Sequence, residues 1–218
     1  SDLRPLPASF EAWAVTYIAP SRIAGPALKL KTGPTVSPLT LGEAKGWCRV
    51  DPDDHEDDVM IQALIDGYTG YLEKILGRAF IEQEWYLYYD EFPSAELQIP
   101  FGDVISVTAV EYLDGEPLVY TAWPNTNYTV DIVQNDGWIN FVTAWPTEAA
   151  EQSNAVRITY KAGFGSGAAS VPQALRNAIG MLVTMGYDDP MGVDYKQPLD
   201  GLPMPVQSMI SPYRRIYV

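Results

Sequence analysis

From Thr40 onward the apolar residues recur first at helical and then at strand spacing, and the change of period divides the chain. Leu41, Ala44 and Cys48 share one face of a helix predicted from Leu41 to about Arg49. Thr40 followed by Glu43 reads as a capping box, in which each side chain serves a backbone N–H left open at the helix start. A second helix is predicted over 57–77: Met60, Leu64, Gly67, Tyr71 and Ile75 form one row, with Ile61, Ile65, Tyr68, Leu72 and Leu76 beside it. So wide an apolar face implies burial on more than one side. Gly77, free to take left-handed dihedrals, is the natural stop.

At Ala79 the β-formers take over. Phe80 to Tyr89, Val104 to Leu113, Tyr128 to Val133, Trp138 to Val142 and Ala155 to Ala162 are rich in aromatic and β-branched residues. Asp114-Gly115 and Asp136-Gly137 each lie between two such runs, and this dipeptide suits a tight turn with positive φ at both central positions, so two antiparallel hairpins are predicted. After Gly163, Gly165 and Gly167, which read as a flexible connection, Pro172 opens a third helix marked by Leu175, Ile179 and Leu182. The flanks are broken by proline, at 5, 7, 20, 26, 34 and 38 on one side and at 190, 198, 203, 205 and 212 on the other, which predicts extended arms. The expected fold is therefore α+β: a small helical bundle with an inserted antiparallel β domain, flanked by extended N- and C-terminal arms. Its parts are an N-terminal arm (1–38), two helices (39–78), the β domain (79–169), a third helix packing on the first two (170–188) and a C-terminal arm (189–218).

Charge narrows the function. The formal net charge is −14, whereas holding nucleic acid by its phosphates needs clustered Lys and Arg. A lone cysteine, Cys48, excludes an internal disulfide framework and a Cys-based zinc site, and its apolar neighbours place it in the core. There is no apolar run of the roughly 18 residues that spans a bilayer and no charged-then-apolar leader, so the chain is expected to be soluble, made in a cytoplasm and without a membrane partner. The acids Asp51, Asp53, Asp54, Glu56, Asp57 and Asp58 crowd like calcium ligands but lack the central glycine and distal glutamate of an EF-hand, and read as a solvated helix entry. His55, the single histidine, has no evident nucleophile to activate. Gly163 to Gly167 lacks the lysine and spacing of a phosphate-cradling loop. No catalytic residue, metal ligand or cofactor is expected. Trp85, Trp123, Trp138 and Trp145 read as core or subunit contact; a carbohydrate-binding β module is the alternative they leave open. A hydrolase with paired carboxylates is a further one.

Taken in order, several stretches resemble the head-tail connector (adaptor) family of tailed bacteriophages, prophages and phage-derived gene-transfer particles. They are Leu39 to Lys45 leading to Arg49-Val50-Asp51, then Ala63-Leu64-Ile65, Gly77 to Ile81 and Trp85. Val104 to Thr108 with Tyr112 and Asp114-Gly115, Asn154 to Gly165, Val171-Pro172 and Ser211 to Arg214 complete the series. The long N-terminal arm departs from the pattern. The resemblance implies a non-enzymatic virion protein at the head-tail interface: a ring, twelvefold in the family, under the portal. That ring extends the DNA channel, lets double-stranded DNA pass, and docks a stopper or tail-completion protein. Two segments are expected to make contacts. Pro212, Tyr213, Arg214, Arg215, Ile216, Tyr217 and Val218 combine aromatic area with cations and suit portal docking by strand addition. Phe10, Trp13, Tyr17 and Ile18 give the N-terminal arm an apolar surface for a neighbouring subunit or partner.

Overall fold

A computed structural model describes residues 26–92, 96–133, 137–144, 146, 153–190 and 202–214. Among the described residues there are four helices, α1 (Leu41–Cys48), α2 (Asp58–Leu76), α3 (Gln173–Asp188) and α4 (Met204–Ile210); one strand precedes α1 and the others lie between α2 and α3 in sequence. The strands are β1 (Ala27–Thr32), β2 (Gln83–Tyr89), β3 (Leu97–Gln98), β4 (Val104–Asp114), β5 (Val119–Trp123), β6 (Tyr128–Asp131), β7 (Trp138–Phe141) and β8 (Val156–Ala162). They form a sheet ordered β1-β2-β8-β4-β5 and a smaller one ordered β3-β7-β6, with every strand pair antiparallel. The molecule is thus α+β, with an antiparallel β part inserted between α2 and α3.

Local chemistry sets the helix ends. The Thr40 hydroxyl accepts from the Glu43 N–H at 3.3 Å and the Glu43 carboxylate accepts from the Thr40 N–H at 2.9 Å, completing the capping box. Gly77 closes α2 in the left-handed region (φ 63°). Ile61, Ile65, Leu72 and Leu76 of α2 meet Leu175, Ile179 and Val183 of α3, together with Leu39, Ala44 and Cys48. Burying each large aliphatic chain is worth about 1.5–3 kcal/mol, so this cluster is the main bond between the helices. Met60, Gly67 and Tyr71 lie open to solvent together with Val59 and Ala63, while Leu64 and Ile75 of the same row are half-buried and Leu64 packs on the helical core.

A second core lies between the sheets. Trp85 and Leu87 of β2, Ile158 and Tyr160 of β8, and Val107 and Val110 of β4 face Leu97, Ile99, Tyr128 and Ile139. Bulges in β4 at Val104/Ser106 and Val107/Ala109 reset the alternation and keep Val107 and Val110 on the inner face.

Some expectations are corrected. Inside the stretch read as an extended C-terminal arm, Met204–Ile210 is helical and buries Val206 and Ile210. Pro203 precedes this helix and Pro205 sits in its first turn, where no intrahelical N–H is needed, so these prolines start a helix instead of preventing one. Within the N-terminal arm, Ala27–Thr32 pairs with β2 as a sheet edge. Asp114-Gly115 does not make a two-residue turn, and Asp136 of the other pair lies outside the described residues. Asp114 pairs with Val119 across a longer loop that has positive φ at Gly115 (80°), and Asp131 pairs with Trp138 around residues 132–137. Finally, β6 and β7 end at Asp131 and Phe141, short of Val133 and Val142.

Candidate functional site

The acid-rich loop at 51–58 is built around an ammonium. Lys45, only 3% exposed, donates to the carbonyls of Pro52 (3.2 Å) and Asp54 (2.6 Å) and pairs with Asp58 at 2.5 Å. Asp51 and Asp54 turn back to accept from the N–H groups of Asp53 and Glu56. The loop's oxygens therefore gather on a side-chain cation and on its own backbone. His55 Nδ1 lies 2.7 Å from Asp58, and hydrogen bonds from Lys45 first and His55 second hold the Asp58 carboxyl below its usual range. On the far side, the Tyr187 hydroxyl donates to Asp57 at 2.6 Å, and that bond pushes its pKa up to about 12.

The glycine-rich turn after β8 is a tight connection and not a loose one. Gly163 sits at φ 138°, its N–H donating to the Asp103 carbonyl at 2.9 Å, and a side chain there would lie 2.6 Å from the Ile81 carbonyl oxygen. Of the tryptophans, Trp123 is buried and stacks on Tyr128 at 5.6 Å, and Trp85 packs into the sheet core against Phe101. Neither is free to hold a sugar ring. Trp138 is half-buried, and Trp145 lies outside the described residues.

Three stretches far apart in sequence converge at the join between the two cores. Arg78, just past α2, forks one nitrogen onto both carboxylate oxygens of Asp103 at 2.7 Å each, and its Nε donates to the Tyr213 carbonyl at 2.7 Å. Asp103 is itself buried and holds a left-handed conformation (φ 59°). Phe164 lies between Phe80 and Tyr213, 6.4 Å from each ring, edge-on to the tyrosine. Arg78 and Phe164 stand in stretches that carried the family resemblance, and Tyr213 in a third. Asp103 had no sequence signal, since its partner is set only by the fold. A group beside this join also departs from ordinary behaviour. Glu73 accepts from the Phe80 N–H (2.7 Å) and from Gln83 (2.8 Å), and burial outweighs these bonds to push its pKa up to about 7.

The expected contact residues fall in different places. Pro212, Tyr213 and Arg214 follow α4, with Tyr213 half-buried against the helical core and Pro212 and Arg214 exposed. Arg215, Ile216, Tyr217 and Val218, like Phe10, Trp13, Tyr17 and Ile18, lie outside the described residues. Next to Arg214 runs a cleft of about 560 Å³ bounded by Tyr71, Ile75, Met204 and Ile210. A more apolar cleft of about 430 Å³, bounded by Leu64, Tyr68 and Leu182, shares Tyr71 and Leu202 with it. Among the described residues no three His, Cys, Asp or Glu side chains converge to hold a metal ion, and no helix is long and apolar enough to cross a membrane.

No protein-family model and no curated protein matches the sequence. Solved structures do match its fold. A chain of the neck of an empty gene transfer agent particle, computed with C6 symmetry, superposes with a TM-score of 0.72 at 18% identity, over 88% of this chain and 97% of that one. A chain of the virion of a native gene transfer agent particle gives 0.72 at 19% identity, over 88% and 96%. One from the neck of a native particle computed with C12 symmetry gives 0.62 at 20% identity, over 87% and 97%. The fold is thus that of chains from gene transfer agent particles, in agreement with the family the sequence resembles.

Proposed function

We propose that this chain is a structural, non-enzymatic head-to-tail adaptor of a tailed-phage or phage-derived particle. Copies form a ring, twelvefold in this reading, beneath the portal. The ring extends the channel through which double-stranded DNA passes and presents its far face to a stopper or tail-completion protein. The observation that carries the reading is the fold likeness, which takes in nearly the whole length of chains from gene transfer agent necks and virions, 97% and 96%. The symmetries under which those necks were computed, C6 and C12, are what a ring of copies requires.

The parts then take distinct tasks. The helices of 39–78 and 170–188 form the body, the β domain of 79–169 is a second body, and Pro212 to Val218 is the portal-docking segment. The N-terminal arm, through Phe10, Trp13, Tyr17 and Ile18, reaches a neighbour or partner. Its place of work is the neck of the virion, after synthesis in the bacterial host cytoplasm. The test is negative-stain imaging of particles that carry a copy labelled near the N-terminus. Density added in a ring between portal and tail is the expected result. Label on the capsid shell or tail fibres, or none on particles, rejects the reading.

A further inference from the structure

The fold decides where the docking segment leaves the body. We propose that Arg78 is the positioning residue that fixes this exit, an inference that rests on reading Pro212 to Val218 as the docking segment.

Arg78 is itself immobilised. Gly77 turns the chain out of α2, the Arg78 N–H donates to the Glu73 carbonyl at 3.1 Å, and its backbone bridges to Gly102. Asp103, 7% exposed in its side chain, accepts from one terminal nitrogen of the guanidinium through both carboxylate oxygens and anchors that end of the side chain. The Nε–H, in the same guanidinium plane, donates to the Tyr213 carbonyl. That carbonyl lies at the end of the short 3-10 turn Ser211–Tyr213, which the Arg214 N–H closes onto the Ser211 carbonyl at 3.2 Å. Arg214 itself has extended dihedrals (φ −65°, ψ 129°). Arg78 therefore grips the peptide that joins Tyr213 to Arg214, while Phe164 meets the Tyr213 ring edge-on.

A planar fork with directed donors can hold two partners at fixed angles, which an ammonium on a flexible stem cannot. A segment that adds a strand to a partner must present its backbone in one direction, and a fixed exit lowers the ordering cost of docking. Arg78 touches no partner in this scheme and acts through Tyr213.

The experiment uses the full chain with Arg78→Lys, which keeps a positive charge beside Asp103 but loses the fork. If that variant does not fold, the pair Arg78→Gln with Asp103→Asn removes both charges together. Trypsin cutting after Arg214 or Arg215 must draw Pro212 and Tyr213 into its cleft, so its rate reports how often the clasp opens. The expected result, at unchanged melting temperature, is roughly tenfold faster release of the terminal residues and a comparable loss of binding to purified portal rings of the same particle. Unchanged cleavage overturns the inference. So does faster cleavage with unchanged portal binding, since the exit would then not matter. A chain ended after Arg214 separates the two readings. If it loses portal binding while Arg78→Lys keeps it, the positioning role alone falls; if it binds as well as the native chain, the docking segment falls as well.

Discussion

At the scale of single residues, two buried charges govern stability in opposite ways. Glu73 has its carboxyl raised from 4.5 to about 7 by burial. Between those pH values the folded state keeps a proton that the unfolded chain has released, so stability falls as pH rises through this window and is level above it. The loss is on the order of 3 kcal/mol for a shift of this size. Glu73→Gln keeps an oxygen for the Phe80 N–H without the charge. Its thermal midpoint is expected to exceed that of the native chain at pH 8 and to match it near pH 4, read by circular dichroism at both pH values. Lys45 is the reverse case, a cation that its surroundings need. Lys45→Met strands the Pro52 and Asp54 carbonyls and leaves the Asp58 carboxylate with His55 alone, and about 3 kcal/mol of destabilisation is expected in urea unfolding. Calcium should not restore it. Neither residue was legible in the sequence. Six acids in eight positions read as a solvated helix entry, and that they gather on an ammonium depends on Lys45 being folded beneath the loop from a helix that precedes it.

Among the elements, legibility followed how much of a segment's pattern its own residues determine. The long helices were plain because α2 and α3 repeat their apolar period over several turns, and the capping box at Thr40 is local chemistry. β1 carries an alternation too, with Leu28 and Leu30 between Lys29 and Lys31, yet Pro26 and Pro34 on either side made it read as an arm. α4 was hidden the same way, although Val206 and Ile210 stand four apart and its prolines sit where a helix starts. The loop at Asp114-Gly115 is longer than predicted because Asp-Gly favours a tight turn without dictating the register, which cross-strand packing sets. Two substitutions test the elements. Ile210, 3% exposed, anchors α4 on the helical core, and Ile210→Ala is expected to cost about 2–4 kcal/mol and to loosen Met204–Tyr213 first in hydrogen exchange. Gly163→Ala forces a side chain against the Ile81 carbonyl at a positive φ, so it is expected to destabilise by more than about 1 kcal/mol, visible as a lowered denaturant midpoint.

On the scale of the whole molecule, charge and its distribution bear on the proposed channel. The chain has 14 Lys and Arg against 28 Asp and Glu, and among the described residues six of the cations stand in ion pairs. Lys31 pairs with Glu84, Lys161 with Glu82, Arg157 with Glu111, Arg176 with Glu43, Arg78 with Asp103 and Lys45 with Asp58. Arg157 is further enclosed by the rings of Tyr86 and Tyr120, at 5.1 and 3.9 Å, on the outer face of the larger sheet. A cation engaged in this way has little left to offer a phosphate. The number of phosphates neutralised sets both the strength and the salt dependence of non-specific DNA binding, so a chain with twice as many acids as cations should bind duplex weakly and with a shallow salt slope. That suits a wall past which DNA slides, since a basic lining would hold it. The purified chain is therefore expected not to retard duplex DNA in gels at physiological salt, with dissociation constants weaker than the roughly 10⁻⁴–10⁻⁶ M usual for non-specific binders. Replacing Glu84, Glu82 and Glu111 together by Gln frees Lys31, Lys161 and Arg157 on one face of the sheet. It is expected to create salt-sensitive retardation where the native chain shows none. Retardation by the native chain at physiological salt would mean instead that it holds DNA, and the repelling-channel account of its acidity would be wrong.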